Sequence, residues 1–503
     1  MKFSFWILVF SGLAALGHAA DWPQGGGPSG DFVAEGAAPT RWSVVHGKNI
    51  AWSRPLPETG QSTVVIADGK LFYTCFQPVE SDSELGSDVV AFCADSRDGD
   101  ILWQRPITAR HPLRLSGCFS DSTAPPAVTD GQRVCFFNAS GTVVCFDMGG
   151  KELWRREAMV VGRSQPFLVD GRIIYARQLI MPENGRFGHE HKNAPRELWT
   201  QLEALDLSTG ERVWRSECGV NMGAVPLPQK LSDGRYVAVV GRGGGHSPPE
   251  RPLGVSMVDL SNGRTLWTLQ LDGFMSTQTY PVVDDLALVF HGPEHLWVDL
   301  DGKVVKRVNF CRDIPVRRRS KPGYVDARET WVYKVGSGRA ITQQSNLRVG
   351  DYHYFRAYRQ ICLGRVHVKT GDVEYLHLPA QLVRTAGSDD RMIWNLKDPG
   401  FIPADMKNSN GWLVMGDKRS RTNTWGHHAS PIMSAVGQYL YVPTMSGTVY
   451  CVRWSASRLD ENAIAAINDL GPAGPTWSRS SLSFDGRRLY TRTIKELLCI
   501  GLE

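Results

Sequence analysis

Short apolar runs alternate with polar turns along this chain, and one phrase of that alternation keeps returning. An apolar strand ends in Asp, a tight Gly turn follows, and a Trp stands four residues after the Gly. It reads VVAFCADSRDGDILW with Asp95, Gly99 and Trp103, then VVCFDMGGKELW with Asp147, Gly150 and Trp154. It recurs as LEALDLSTGERVW with Asp206, Gly210 and Trp214, and as VSMVDLSNGRTLW with Asp259, Gly263 and Trp267. Period-two alternation closed by a two-residue Gly turn is the signature of a β-hairpin. A further turn of that kind occurs at Asp68-Gly69, Asp130-Gly131, Asp170-Gly171, Asp233-Gly234 and Asp485-Gly486. Each unit therefore divides into four short strands.

The spacing fixes how many units there are. Trp52, Trp103, Trp154, Trp214 and Trp267 lie 51, 51, 60 and 53 residues apart. Tyr375 takes the same slot after Gly371, far enough beyond Trp267 for two units; the one between them, WVDLDGKVV, keeps Gly302 without a Trp. A four-stranded sheet repeated about every 50 residues predicts an all-β protein, a β-propeller of antiparallel blades. First strands near Thr63, Ala124, Gln165, Ala224, Thr279, Asn346, Ala429 and Ser480 give eight blades, or seven if the weak sixth is not one. The C-terminal LLCIGLE reads as a third strand lacking a fourth. NIAWSRPL, with Trp52, supplies that strand from the N-terminus and closes the ring without exposed edges.

The phrase A-x-D-x-x-T-G-x-x-x-W resembles the repeat of pyrroloquinoline-quinone-type (PQQ-like) propellers. The opening ADWPQGGGPSGDF followed by NIAWSRPLP is similar to exported eight-bladed proteins of planctomycete and verrucomicrobial bacteria. The resemblance extends distantly to the propeller subunit of the outer-membrane β-barrel assembly machinery, which carries this repeat without a cofactor. It implies that Trp103, Trp154, Trp214 and Trp267 pack between blades.

Composition narrows the setting. MKFSFWILVFSGLAALGHA, with Gly17 and Ala19 at the −3 and −1 positions, reads as a signal peptide over 1–19, leaving one propeller domain over 20–503. No later stretch is apolar enough to span a membrane, and no Cys stands at the cleavage site to carry a lipid anchor. The net charge of +5, spread over so large a surface, gives no reason to expect nucleic acid. Of the ten Cys, Cys145, Cys451 and Cys499 share one strand position, where a small buried residue accounts for them better than a bridge does.

The extra residues are distributed unevenly. Insertions between second and third strands cover 77–88, 176–201 and 241–254, and insertions between blades cover 104–122, 310–343 and 379–424. In a four-stranded meander both classes emerge on one face, which predicts a trimmed face and a decorated one. The segment 454–471 is the exception, projecting from the trimmed face or standing in for a fourth strand. Loops on a rigid scaffold are where function concentrates. Within them, His246 with Arg242, and His428 with Arg479, are candidate base–cation pairs. His189, Glu190 and His191 form a candidate metal triplet, and Arg317, Arg318 and Arg319 a basic run in a loop, able to meet acidic sugars.

Three function classes follow. The first is a binding or scaffold propeller with a protein or carbohydrate partner at the decorated mouth. The second is a carbohydrate-active enzyme such as a polysaccharide lyase. The third, a quinoprotein dehydrogenase, is disfavoured: its quinone rests under a disulfide of adjacent Cys beside Ca²⁺, and no two Cys are adjacent here. Neither quinone nor calcium is expected.

Overall fold

A computed structural model describes residues 21–78, 88–110, 122–160, 165–177, 195–221, 224–243, 249–273, 275, 279–320, 323–333, 340–342, 346–357, 359–379, 381–387, 390–393, 409–410 and 431–502. Their strands build eight blade sheets around a ring, all antiparallel meanders at heart, and one separate two-stranded hairpin. Blade one consists of Val65–Ala67, Lys70–Phe76, Val89–Asp95 and Ile101–Ile107. Blades two to seven follow within 128–157, 167–215, 229–270, 282–309, 347–377 and 434–469. Blade eight takes Ser483–Phe484, Leu489–Arg492 and Glu496–Ile500 from the C-terminus and Ile50–Pro55 from the N-terminus, with Trp52 opposite Cys499. Eight blades and the two-ended closure are as the repeat predicts.

The repeat phrase is a docking device between blades. The indole of each Trp lies on the turn glycine of the next blade: Trp52 on Gly99, Trp103 on Gly150, Trp154 on Gly210, Trp214 on Gly263 and Trp267 on Gly302. A Cβ on Gly150 would come within 2.8 Å of the Trp103 ring, and one on Gly210 within 2.5 Å of Trp154. These glycines also hold positive φ, 83° and 71° respectively, so both shape and backbone demand Gly. Trp52, Trp103 and Trp154 donate from Nε1 to the carbonyls of Ser96, Met148 and Leu207. An Arg two residues on adds a second tie. Arg54, Arg105 and Arg156 donate to the carbonyls of Asp98, Gly150 and Gly210. This W-x-R extension was readable in the sequence and carries the same docking.

Blades five and six depart from the pattern. Lys306 occupies the Trp slot of blade five; its Nζ stands 4.6 Å from the Trp297 ring centre and donates to the Lys369 carbonyl. Tyr375 does not dock outward. Its hydroxyl donates to the Phe310 carbonyl, and the strand bearing it is covered by an added hairpin, Ile314–Arg319 and Tyr324–Glu329. The expected loop over 310–343 is thus partly a sheet extension, giving blade six six strands. In blade seven, Ile464–Asp469 is the fourth strand, so the 454–471 segment divides into a lengthened turn and that strand.

The ring is not open at both ends. First strands of adjacent blades touch one another, so they line the axis. The N-terminal segment runs across them. Trp22 exchanges backbone hydrogen bonds with Ile66, Thr129 N donates to the Pro23 carbonyl, and Leu168 N donates to Gln24. Val33–Ala34 then pairs in parallel with Ser434–Val436 of blade seven. The glycines of WPQGGGPSGDF fit this narrow course. A Cβ on Gly25 would strike Gln165 and Pro126, and one on Gly30 would strike Pro228. These contacts fall beside the first hairpin turns, so the segment plugs the trimmed end.

Candidate functional site at the decorated face

Second strands end at the decorated face, and several end in buried arginines that hold the loops there. Arg242, one of the candidate residues, closes the second strand of blade four and is only 7% exposed. Its guanidinium meets Glu250 at 2.7 Å and donates to Ser256 and Thr268. Glu250 in turn accepts from the Gly219 amide at 2.8 Å. Burial pushes the Glu250 carboxyl above its ordinary range, against the pull of Arg242. This closed ion pair anchors the insertion of blade four, because a buried charge is tolerated only when paired. Arg177 does the same in blade three, donating to the carbonyls of Glu197 and Trp199, and burial draws its pKa down to about 10.

Arg356 and Arg492, which sequence reasoning did not single out, stitch neighbouring blades at the same level. Arg356 donates to the Pro443 carbonyl and Arg492 to the Thr74 carbonyl, equivalent atoms of the following blade. Both are fully buried. Their signal was available: an Arg at the end of an otherwise apolar strand has to find acceptors.

Of the long insertion before blade seven, the hairpin Gln381–Val383 with Arg391–Ile393 lies against the Thr444–Thr448 turn, and Arg384 pairs with Asp390 and Asp469. Ser409 of the same insertion donates from its amide to Glu58, a buried carboxylate just ahead of blade one. The described parts of the insertion thus touch blade seven at one point and the lead-in to blade one at another. At the rim, a groove of about 290 Å³ is lined by Arg41, His46, Lys48, Arg384 and Asp390.

His189, Glu190, His191, His246 and His428 lie outside the described residues. Arg242 is placed and is committed to Glu250, and Arg479 is half-buried ahead of blade eight. The basic run is corrected: Arg317, Arg318 and Arg319 form an ordered strand, not a loop. Arg317 pairs with Glu461 and Asp326, Arg318 with Glu329, and Arg319 lies over Tyr324. Among the described residues no three His, Cys, Asp or Glu side chains are placed to hold a metal ion.

Comparisons with known proteins agree with this frame. The family model described as outer membrane protein assembly factor BamB matches residues 40–216. The repeat is PQQ-like. No curated protein matches the sequence. Among solved structures, a europium-containing methanol dehydrogenase aligns with TM-score 0.53 and 11% identity, over 97% of this chain and 99% of its own. Quinohemoprotein alcohol dehydrogenase from Comamonas testosteroni aligns with TM-score 0.52 and 12% identity, over 97% and 81%. BamB from Moraxella catarrhalis aligns with TM-score 0.44 and 11% identity, over 90% and 98%. At such identities the likeness is one of fold. No helix among the described residues is long and apolar enough to cross a membrane.

Proposed function

We propose that the protein is an exported binding or scaffold propeller whose partner, a protein or a carbohydrate, docks on the decorated face. One observation carries this reading. The trimmed end is crossed by residues 21–34, while Arg177, Arg242 and Arg384 hold the described parts of three long insertions at the other end. A rigid ring closed at one end presents one working surface. The reading includes no quinone and no calcium. The adjacent-Cys disulfide on which the quinone rests has no counterpart in the sequence. The lyase alternative has lost a cation, because Arg242 is neutralised by Glu250.

The test places a photo-reactive side chain at Arg196 or Arg251 on the decorated face, and at Gly131 or Asp170 on the trimmed turns, in cells that make the protein. Adducts from the first pair alone are expected. Adducts from the trimmed turns, or from neither pair, overturn the reading. Reconstitution with quinone and Ca²⁺ is expected to leave the protein colourless and inactive in dye reduction, and a chromophore with turnover would restore the dehydrogenase.

A further inference from the structure

One strand position recurs in four blades as Cys: Cys93, Cys145, Cys451 and Cys499, each on a third strand. Across the sheet, Cys93 faces Phe72, Cys451 faces Tyr441 and Cys499 faces Tyr490. Blade two alone among these sets a second thiol opposite: Cys145 faces Cys135 of the second strand, in direct register. Both are fully buried on the side of the blade that packs toward blade three, beside Phe137, Tyr175 and Leu205. Their sulfurs stand 2.6 Å apart, nearer than two unbonded sulfur atoms settle.

We propose that Cys135 and Cys145 close a cross-strand disulfide when the protein matures in an oxidising environment. Directly opposed residues of antiparallel strands have Cα atoms about 4.5 or about 5.5 Å apart, inside the span a disulfide bridges. The side chains packed around the pair, Phe137, Tyr175 and Leu205 among them, are aliphatic and aromatic. The bond forms by exchange with an oxidant disulfide such as oxidised glutathione. One protein thiolate attacks it and expels a glutathione thiolate. The second protein thiolate then attacks the mixed disulfide and expels the other, so two protein thiols are oxidised as one oxidant disulfide is reduced to two thiols. The other three positions face aromatic rings and stay thiols. In the structure Cys145 is a buried free thiol, as its strand position leads one to expect, and the bridge would form from that state.

The test uses the full chain, unfolded and reduced, then refolded in a glutathione redox buffer and alkylated under denaturing conditions. Trypsin releases Val134–Lys151 as one peptide carrying both Cys, since Arg133 and Lys151 flank it. The expected result is that this peptide is unalkylated and two hydrogens lighter, while Cys93, Cys451 and Cys499 are alkylated. Full alkylation of both Cys overturns the proposal. As a second measurement, the wild-type Tm falls when reductant is added, and Cys135→Val removes that difference. Val fills the equivalent place at Val239 of blade four. A reductant effect that persists in this variant also counts against the bridge.

Discussion

The first four blades and the fifth-to-sixth junction solve one problem in two ways. Blades one to four dock by an indole laid on a bare glycine, and in blades one and two backbone carbonyls take the indole N–H and the Arg two residues on. Between blades five and six the contact is a buried polar chain. Asn346 donates from Nδ2 to the Thr279 carbonyl, so its Oδ1 accepts from His353 Nε2, and His353 Nδ1 accepts from His295 Nε2 at 2.7 Å. His295 Nδ1 is left facing Phe290 and Trp297, without a hydrogen-bond partner among the described residues. The apolar device tolerates pH and repeats easily. The polar one is specific to its junction and holds only while both rings stay neutral.

Removing Trp103, whose ring touches Phe72, Phe136 and Phe146, should cost the most. Trp103→Ala is expected to lose about 4 kcal/mol in denaturant unfolding, whereas Lys306→Ala in the equivalent slot loses under about 1 kcal/mol. Equal losses would erase the distinction between the two kinds of docking. A sharper form lies within blade two. Gly131 and Gly150 have nearly the same φ, 84° and 83°, but a Cβ on Gly131 meets nothing while one on Gly150 enters the Trp103 ring. Gly131→Ala should cost about 1 kcal/mol for its backbone alone, and Gly150→Ala about 3 kcal/mol.

Acid should single out the other junction. Burial pulls His353 down to about 3 and His295 well below its ordinary value, with the neighbouring ring and Lys306 adding to the effect on His295. Because these folded-state values are depressed, the unfolded chain takes up protons first as pH falls below about 6.5. Each ring then costs about 1.4 kcal/mol per pH unit, and for His353 this continues until the folded state itself titrates near 3. His353→Gln should flatten the fall of Tm between pH 6.5 and pH 4; an unchanged slope would mean the rings are not buried neutral. At the small end, Arg328→Ala breaks an exposed, solvent-screened pair with Asp313 and should leave the denaturation midpoint unchanged within error.

The same contrast explains what could be read from the sequence. Gly99, Gly150, Gly210 and Gly263 with their Trp partners announced blade number and closure because docking depends on those residue types at fixed spacing. Tyr375 fitted the spacing yet docks inward, since nothing local reveals that 314–329 will fold onto its strand. His295 and His353 lie 58 residues apart and meet only through the ring. For the site, the loop asymmetry was legible. The plugging role of WPQGGGPSGDF was not, because it depends on contacts with the first strands of four blades. Arg242 was noticed for its charge, but its commitment to Glu250 lies in the fold.

The central claim is that the decorated side is the working side. Amide hydrogen exchange of the protein, alone and in its isolated complex, tests it most directly. The account predicts new protection at 196–200, 381–393 and 409–410, with none at the turns 130–133, 170–172 and 233–235. Protection at those turns, with the decorated loops unchanged, would contradict it.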